Sequence, residues 1–313
     1  MSLFIIPSLR ALGGAERIVN LLSINLNVDV LAWKDLNFLA VLAQLHQSKK
    51  VITFLESSLI LGFSAKYFFG SNWVHSIRND YSFNGVKGII YKYLLNHADL
   101  IVLTSYGQEW MVAQNQEWCV IYNPSEGYRH RIQQRTYDFI SVSSLTEKKG
   151  IRELVTYWNT CDPIFRVAHI GSGPLFIEIE KLKNDNIKMF GFIDSKHIVR
   201  ELLYSSKFFF LNSIKEGSPN AMLEAWDSGC FIVVKDFKFG PREYFLDLKN
   251  YNQELDLPII DLSRGFIIYS HLNELNGLNW SKLWNEFASN IVSRPPLTQS
   301  HLNFFTEWEK VGM

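Results

Sequence analysis

The sequence predicts an α/β fold of two doubly wound domains, each a parallel sheet with helices on both faces. Three observations support this prediction. Short apolar runs rich in β-branched and aromatic residues alternate with helical patterns along the chain. A turn-rich segment at 123–127 interrupts the alternation. A chain of 313 residues also exceeds the usual size of one hydrophobic core, so we expect two domains.

The predicted strands fall into two sets, one on each side of the break. Strands of the first set are expected at 3–7, 28–33, 51–55, 73–77, 100–104 and 119–122, and strands of the second at 139–142, 166–170, 187–190, 208–211 and 231–234. The predicted organisation is an N-terminal domain at 1–125, a linker at 126–136, a C-terminal domain at 137–293 and a C-terminal helix at 294–313. Because ligands of such sheets bind beyond the carboxyl ends of the strands, we expect the domains to face each other across a cleft.

The composition excludes several classes of protein. Basic and acidic side chains number 31 each, so no overall positive field points to nucleic acid. Cys119, Cys161 and Cys230 are odd in number and far apart, which favours a reducing compartment over a disulfide framework. The histidines form no cluster with cysteines or carboxylates, so we predict no metal site. The start lacks a signal-peptide pattern and no apolar run reaches about 18 residues, so we expect a cytoplasmic protein.

The segment from Glu216 to Glu224 is the most informative part of the chain. It places two carboxylates eight residues apart around a predicted helix start. Ser218 is the predicted N-cap and Pro219 the predicted first helical residue, where a missing N–H costs nothing. The alternative is that both glutamates are ordinary exposed residues at a helix start.

The predicted helix start provides groups that suit a sugar nucleotide. Backbone N–H groups of Asn220, Ala221 and Met222 are expected to lie unpaired at the positive end of the helix dipole, where a diphosphate binds well. Carboxylates repel phosphate. We therefore predict that Glu216 and Glu224 accept hydrogen bonds from hydroxyl groups, one on the transferred sugar and one on the ribose.

Five segments in the same order resemble motifs of the retaining glycosyltransferases of family 4, which have the GT-B fold. The resemblance covers roughly residues 3–245. It implies that 1–125 is an acceptor-side domain and 137–293 a nucleotide-sugar-binding domain. The resemblance implies transfer of a hexose from a nucleotide-sugar donor to an acceptor hydroxyl, with retained anomeric configuration and without metal or cofactor. It also implies a role in bacterial surface polysaccharide or glycoconjugate assembly, and a terminal helix that crosses back to the first domain. The five segments lie at 13–17, 120–124, 168–175, 187–193 and 216–224.

The resemblance also implies roles for individual residues. Glu216 and Lys149 are the expected catalytic residues, and Lys149 takes the lysine position of the family's cation loop, here at 143–150. Ser144 stands where the family usually has an arginine that binds the donor diphosphate, so one of two expected cations is missing. The expected donor-binding residues are Gly14, Ser144, Gly173, Phe192, Ser218, Pro219, Asn220, Ala221 and Glu224.

On the acceptor side, Arg17 and Arg78 are the expected binding residues. Arg17 lies in the first turn of a helix after a glycine pair, and Arg78 at the end of a strand where the family often places a histidine. The alternatives are a solvated Arg17, a glycine turn without ligand and a solvated loop lysine at Lys149. His75, two residues before Ile77 on the same strand face, is predicted to be a core residue.

The expected partners are a nucleotide sugar and a glycan or lipid-linked acceptor. The helical segment at 86–95 mixes apolar residues with Lys87 and Lys92, which suggests peripheral contact with the inner face of a membrane. An ordinary core-packed helix is the alternative. Two other functions stay open: a nucleotide-sugar epimerase, which would convert the donor without acceptor, and a non-catalytic glycosyltransferase partner subunit.

Overall fold

The computed structural model describes residues 2–9, 14–78, 83–125, 134–237, 240–248, 253–291, 294, 297 and 301–311. Its contacts divide the chain into two compact units. Unit 1 comprises Met1–Asn123 together with His301–Met313, and unit 2 comprises Pro124–Ser300. Residues 126–133 of the predicted linker and Gly13 of the predicted glycine turn lie outside the described residues.

Unit 1 is built on a parallel sheet of six strands in the order β2-β1-β3-β4-β5-β6. Its strands are β1 (Ser2–Ile6), β2 (Asp29–Ala32), β3 (Lys50–Phe54), β4 (Asn72–Ser76), β5 (Leu100–Leu103) and β6 (Trp118–Val120). Its helices are α1 (Gly14–Leu26), α2 (Phe38–Gln47), α3 (Leu59–Phe69), α4 (Gly85–Leu95) and, from the end of the chain, α11 (His301–Lys310).

Each face of the unit 1 sheet packs against its own apolar layer. Alternation along each strand produces these layers, because successive side chains point to opposite faces. Trp73 and Leu95 lie in the layer under α2, α3 and α4. Phe54 lies in the layer under α1 and α11, where Phe304 and Trp308 of α11 also pack. The last helix of the chain thus completes the first unit.

Unit 2 is built on a sheet of seven strands in the order β12-β13-β11-β10-β7-β8-β9. Its strands are β7 (Tyr137–Val142), β8 (Val167–Ile170), β9 (Ile187–Met189), β10 (Ser206–Leu211), β11 (Phe231–Lys235), β12 (Ile259–Asp261) and β13 (Phe266–Tyr269). Its helices are α5 (Ile151–Thr160), α6 (Phe176–Leu182), α7 (Lys196–Tyr204), α8 (Asn220–Asp227), α9 (Pro241–Leu246) and α10 (Trp280–Asn290).

Aromatic residues dominate the core of unit 2. Phe139 on β7 meets Phe208 and Phe210 on β10 with ring centroids 6.0 and 5.2 Å apart. Trp280 of α10 packs edge-on against Phe139 and Phe208 and at a tilt against Phe210. Such pairs contribute about 0.5–1.5 kcal/mol each beyond area burial. Arg294, at the start of the segment predicted to form the terminal helix, packs instead in unit 2 over the ring of Trp226, at 3.2 Å.

The structure confirms the two-domain α/β fold and adds two strands. All eleven predicted strands are present, within a few residues at each end. The sequence analysis missed β12 and β13, which pair antiparallel through a tight turn at the sheet edge. The Asp261 carboxylate stabilises this turn, accepting hydrogen bonds from Ser263 Oγ at 2.7 Å and from the Arg264 N–H at 2.9 Å, and Gly265 supplies its positive φ of 74°. Within the described ranges no helix is long and apolar enough to span a bilayer.

Candidate active site

The strand order of unit 2 creates a switch point between β7 and β10. The chain runs outward from β7 through β8 and β9, then returns to place β10 on the other side of β7. Loops that follow two such strands diverge to opposite faces of the sheet, leaving a crevice at the carboxyl edge where ligands bind. The loop after β7 carries Lys149, and the loop after β10 carries Glu216.

Lys149 and Glu216 form an ion pair at this switch point. The Lys149 ammonium donates to Glu216 Oε1, and the hydroxyl of Ser213 donates to the same oxygen at 2.7 Å. The side chains are 23% and 15% exposed, so both stay accessible to a ligand. The structure therefore brings together the two predicted catalytic residues, which lie 67 positions apart in the chain. Their catalytic role stays a prediction.

Backbone contacts hold the two loops side by side. The N–H of Ile214 donates to the carbonyl of Lys148 at 2.9 Å, and the amide of Asn212 donates to the carbonyl of Gly150 at 2.8 Å. Gly150 has a φ of +58°, and a Cβ there would lie 2.3 Å from the carbonyl oxygen of Asn212. Only glycine fits both restraints. The hydroxyl of Tyr269 on β13 donates to Asn212 Oδ1 at 2.9 Å and fixes this side chain.

The glycine turn after β8 lies against the loop that follows β7. The N–H of Leu145 donates to the carbonyl of Ser172 at 3.1 Å. A Cβ on Gly173 would lie 2.5 Å from the carbonyl oxygen of Leu145, so a side chain here would force the two loops apart. The close approach explains the glycine without reference to a ligand, and donor binding by Gly173 stays a prediction.

His169 at the end of β8 is a buried residue that the sequence analysis did not place in the site. It is fully buried next to Gly171, and neither ring nitrogen has a hydrogen-bond partner among the described contacts. Burial lowers its pKa to about 4, while the backbone of Ser143 acts in the opposite direction. The imidazole is therefore neutral at pH 7.

The start of α8 differs from the sequence prediction by one residue. The helix begins at Asn220, and Pro219 is its N-cap with φ −73° and ψ 106°. Ser218 does not cap the helix; its hydroxyl is hydrogen-bonded to the hydroxyl of Tyr244 on α9, and Ser218 is buried. The prediction of Ser218 as N-cap and Pro219 as first helical residue is wrong. The reason is a long-range partner that satisfies the serine hydroxyl elsewhere.

One of the predicted N–H donors is also already bonded. The N–H of Met222 donates to the carbonyl of Pro219 at 3.1 Å in a tight first turn. This leaves the N–H groups of Asn220 and Ala221 for a ligand at the positive end of α8. Glu224 lies one turn after Asn220 on the same face and is half-buried.

The other predicted binding residues lie in loops that follow strands of unit 2 or on α1 of unit 1. Ser144 is exposed in the loop after β7, and Phe192 is 63% exposed after β9. In unit 1, Gly14 is the exposed first residue of α1, and Arg17 lies half-buried in its first turn. Their contact with donor or acceptor stays a prediction.

Arg78 is a buried residue of unit 1. Its guanidinium lies 5.2 Å from the ring centroid of Trp308 and 5.9 Å from that of Phe54, and it donates to Asn123 Oδ1 at 2.9 Å. Only 7% of Arg78 is exposed, so these contacts give it a role in packing α11 against the sheet. Acceptor binding by Arg78 is still untested.

His75 lies in the core of unit 1, as predicted. It is fully buried, and its Nδ1 shares a hydrogen bond with the Thr53 hydroxyl at 2.7 Å. Burial lowers its pKa to about 3, so the ring is neutral. Across the described chain, no group of three or more His, Cys, Asp or Glu side chains is arranged to hold a metal ion.

Comparisons with known proteins cover the segment in which this site lies. The model of the family described as glycosyl transferases group 1 matches residues 126–254, which contain Lys149, Glu216 and Glu224. An uncharacterised glycosyltransferase of Methanocaldococcus jannaschii is 24% identical over 249 residues, 69% of this chain and 60% of the relative. The chain therefore covers less than two thirds of that relative's length.

Solved structures show the same fold. HepE of Anabaena, in complex with UDP and glucose, superposes with a TM-score of 0.75 at 15% identity, over 99% of this chain and 98% of that one. The lipopolysaccharide outer core galactosyltransferase WaaB superposes with a TM-score of 0.64 at 15% identity, over 99% and 98% of the two chains. The fold is GT-B. The matched family model and the relative from Methanocaldococcus jannaschii are both described as glycosyltransferases.

Proposed function

We propose that this protein transfers a sugar from a nucleotide-sugar donor to an acceptor hydroxyl, with retained anomeric configuration, in the assembly of a surface polysaccharide or glycoconjugate. The observation that carries the proposal is the Lys149–Glu216 ion pair at the switch point of unit 2, beside the start of α8. It lies within the segment matched by the glycosyltransferase family. A cation, a carboxylate and two N–H groups at one sheet edge suit a diphosphate joined to a sugar.

Lys149 and the start of α8 would stabilise the negative charge of the departing nucleotide diphosphate. That charge grows as the bond to the sugar breaks, so groups fixed in place before the reaction stabilise the transition state without reorganising. The N–H groups of Asn220 and Ala221 add the positive end of the helix dipole. In the structure Glu216 neutralises Lys149. Donor binding would give the ammonium a phosphate partner and free the carboxylate for a sugar hydroxyl.

The two glutamates would act on different parts of the donor. Glu216 shares its Oε1 with Ser213 and Lys149, a fixed position from which it would orient the sugar as an oxocarbenium-like transition state develops. Glu224 lies a turn inside α8 and would accept hydrogen bonds from the ribose hydroxyls. The reaction would break the bond between the anomeric carbon and the diphosphate and form one to the acceptor oxygen, whose proton leaves with the nucleotide.

The reaction is proposed to need no metal, because Lys149 and α8 supply the positive charge that a divalent cation supplies elsewhere. We expect turnover to be unchanged in EDTA. Loss of turnover on chelation, with recovery on addition of Mg²⁺ or Mn²⁺, would contradict this part of the proposal.

The names of the similar structures guide the choice of donor and acceptor. HepE binds UDP and glucose, and WaaB is named as a lipopolysaccharide outer core galactosyltransferase. We therefore propose a UDP-hexose donor and a glycan or lipid-linked acceptor, with Phe192, exposed after β9, beside the nucleotide base. The protein would then work from the inner face of the membrane on a growing surface glycan.

A thermal-shift screen against nucleotide sugars tests the donor first. A ligand present at about 100 times its Kd should stabilise the protein by about 2.7 kcal/mol. UDP-glucose and UDP-galactose are expected to raise the Tm, and the ADP- and GDP-sugars to serve as matched controls for the base. If no nucleotide or nucleotide sugar shifts the Tm, the donor site does not exist and a non-catalytic partner subunit becomes the better explanation.

Product analysis then separates transfer from isomerisation. Purified protein incubated with the stabilising donor alone should leave the sugar unchanged, because transfer needs an acceptor. Conversion of UDP-glucose to another UDP-hexose without acceptor would replace the transferase proposal with an epimerase. With an acceptor present, the anomeric proton coupling of the product, measured by NMR, reports retention or inversion.

A further inference from the structure

The outer face of α4 is apolar although its inner face is already buried. Exposed residues Val86, Ile89, Ile90 and Tyr93 are spaced as i, i+3, i+4 and i+7, which places them in one stripe along the helix. Their exposures are 75%, 66%, 48% and 58%. A surface helix ordinarily presents polar residues opposite its buried side. Nothing in the described part of the chain covers this stripe.

The exposed stripe continues onto the neighbouring helix α3. Ile60, Tyr67 and Phe68 of α3 are 56%, 53% and 76% exposed. The ring of Phe63 joins the two helices, since its centroid lies 4.5 Å from that of Tyr67 and 6.4 Å from that of Tyr93. We call the combined surface the α3–α4 face; it consists of Ile60, Tyr67, Phe68, Val86, Ile89, Ile90 and Tyr93. Contiguous exposed apolar surface of this kind marks a docking site.

The charged side chains on the helices of the α3–α4 face have one sign. Helices α2, α3 and α4 contain no Asp or Glu, whereas each of the other α-helices in the described residues contains at least one. Lys87 and Lys92 are exposed on α4. Lys66 on α3 is paired with Asp99 at 2.5 Å, so its charge is largely neutralised. The three adjacent helices therefore present apolar side chains, and Lys87 and Lys92 of α4 add positive charge. This combination is the complement of an anionic apolar interface.

We propose that the α3–α4 face docks on the surface of a bilayer that contains anionic lipid, with the stripe of α4 in the acyl–headgroup boundary. Ile and Val side chains would enter the acyl region, aromatic rings such as Tyr67 and Tyr93 would lie at headgroup level, and Lys87 and Lys92 would meet lipid phosphates. Docking would hold the proposed glycosyltransferase at a membrane, so this inference rests on the proposed function. Its test measures lipid binding and needs no turnover.

Vesicle flotation of the full-length protein tests the proposal. Wild-type protein should float with vesicles of phosphatidylcholine mixed with phosphatidylglycerol, and much less with phosphatidylcholine alone. Replacing Lys87 and Lys92 by Gln should weaken binding by about fivefold per lysine, and high salt should have a similar effect. Ile89→Asp should lower the vesicle–water partition coefficient at least about tenfold. The change removes apolar area that would be buried in the bilayer, and it adds a negative charge that anionic lipid repels. The matched control is Ile177→Asp on α6, where the isoleucine is 71% exposed.

The outcomes separate lipid from other occupants. Failure of wild-type protein to float with anionic vesicles, or equal flotation of Ile89→Asp and Ile177→Asp, would overturn the proposal. If sedimentation shows a dimer that Ile89→Asp converts to a monomer while lipid binding stays unchanged, a second copy covers the face instead. The donor-induced Tm shift should survive Ile89→Asp, since the donor residues of α8 and Lys149 lie in unit 2. If donor does not raise the Tm of the wild-type protein, the proposed function is refuted but membrane docking is not.

Discussion

Removing the charge of Lys149 gives the sharpest test of the proposed chemistry. In Lys149→Ala, Glu216 loses its ion-pair partner but keeps the hydrogen bond from Ser213 at 2.7 Å. The backbone of the loop should stay in place, because its hydrogen bonds to the loop after β10 involve main-chain atoms of Lys148 and Ile214. The substitution therefore isolates one charge.

The expected loss falls mainly on the transition state. A unit charge about 4 Å from a phosphate oxygen, at an effective dielectric of about 20, interacts by about 4 kcal/mol, which is an upper bound. Loss of one such fixed donor typically costs about 2.7–4 kcal/mol, or about 10²–10³ in rate. The stability cost should be smaller, about 1 kcal/mol or less, because both partners of the ion pair are partly exposed and solvent-screened.

The assay is kcat/KM for the donor, with the free energy of unfolding measured on the same proteins. Lys148→Ala is the matched control, since Lys148 is adjacent and exposed. Adding Ser144→Arg to Lys149→Ala should recover part of the loss, because Ser144 is exposed in the same loop and a guanidinium binds phosphate through two N–H groups. A nearly silent Lys149→Ala, even when combined with Lys148→Ala, would show that this loop does not contact the diphosphate.

Three further predictions test the site and its support. Glu216→Gln should lower kcat far more than Glu224→Gln, which should chiefly raise the donor KM; steady-state kinetics with equal, small effects would remove the proposed division of roles. Gly173→Ala should abolish the donor-induced Tm shift, because its Cβ would lie 2.5 Å from a carbonyl oxygen; an unchanged shift would show that the two loops can separate without cost. The pKa of His169 is lowered to about 4 in the folded protein, so as the pH falls the unfolded chain takes up a proton on this histidine before the folded protein does. The free energy of unfolding should therefore fall between about pH 6.5 and pH 4, by up to about 1.4 kcal/mol per pH unit. The free energy of unfolding, measured by urea denaturation across this pH range, should depend less steeply on pH in His169→Phe than in wild type. His197→Phe, at an exposed histidine, is the control. The same pH dependence in His169→Phe and wild type would contradict the assignment.

The fold was largely predictable because it depends on local patterns. Buried parallel strands appear as short apolar runs, and all eleven that the sequence predicts are present. The hairpin of β12 and β13 escaped prediction for a physical reason. Its register depends on side chains of the turn, such as the Asp261 carboxylate, and on a sheet edge that only the assembled unit 2 provides.

The contacts of the predicted site residues could not be predicted from the sequence. Glu216 and Lys149 stand out by type and position, yet their pairing follows from β10 lying beside β7, which no spacing in the sequence determines. Serine is a common N-cap residue, but the hydroxyl of Ser218 is hydrogen-bonded to that of Tyr244, 26 residues later. Arg78 was predicted to bind acceptor from a strand end, and only the structure places Trp308 of α11 against its guanidinium. Such long-range partners decide the role of a polar residue, and local sequence does not contain them.

The discontinuity of unit 1 has a consequence for biosynthesis. The apolar layer that contains Phe54 is completed by Phe304 and Trp308, which the ribosome makes only after the whole of unit 2. Until then the nascent first unit exposes part of its core, while unit 2 can already pack its own. The first unit to begin synthesis is therefore the last to finish folding. A chain stalled before residue 301 should need chaperone protection that the finished chain does not.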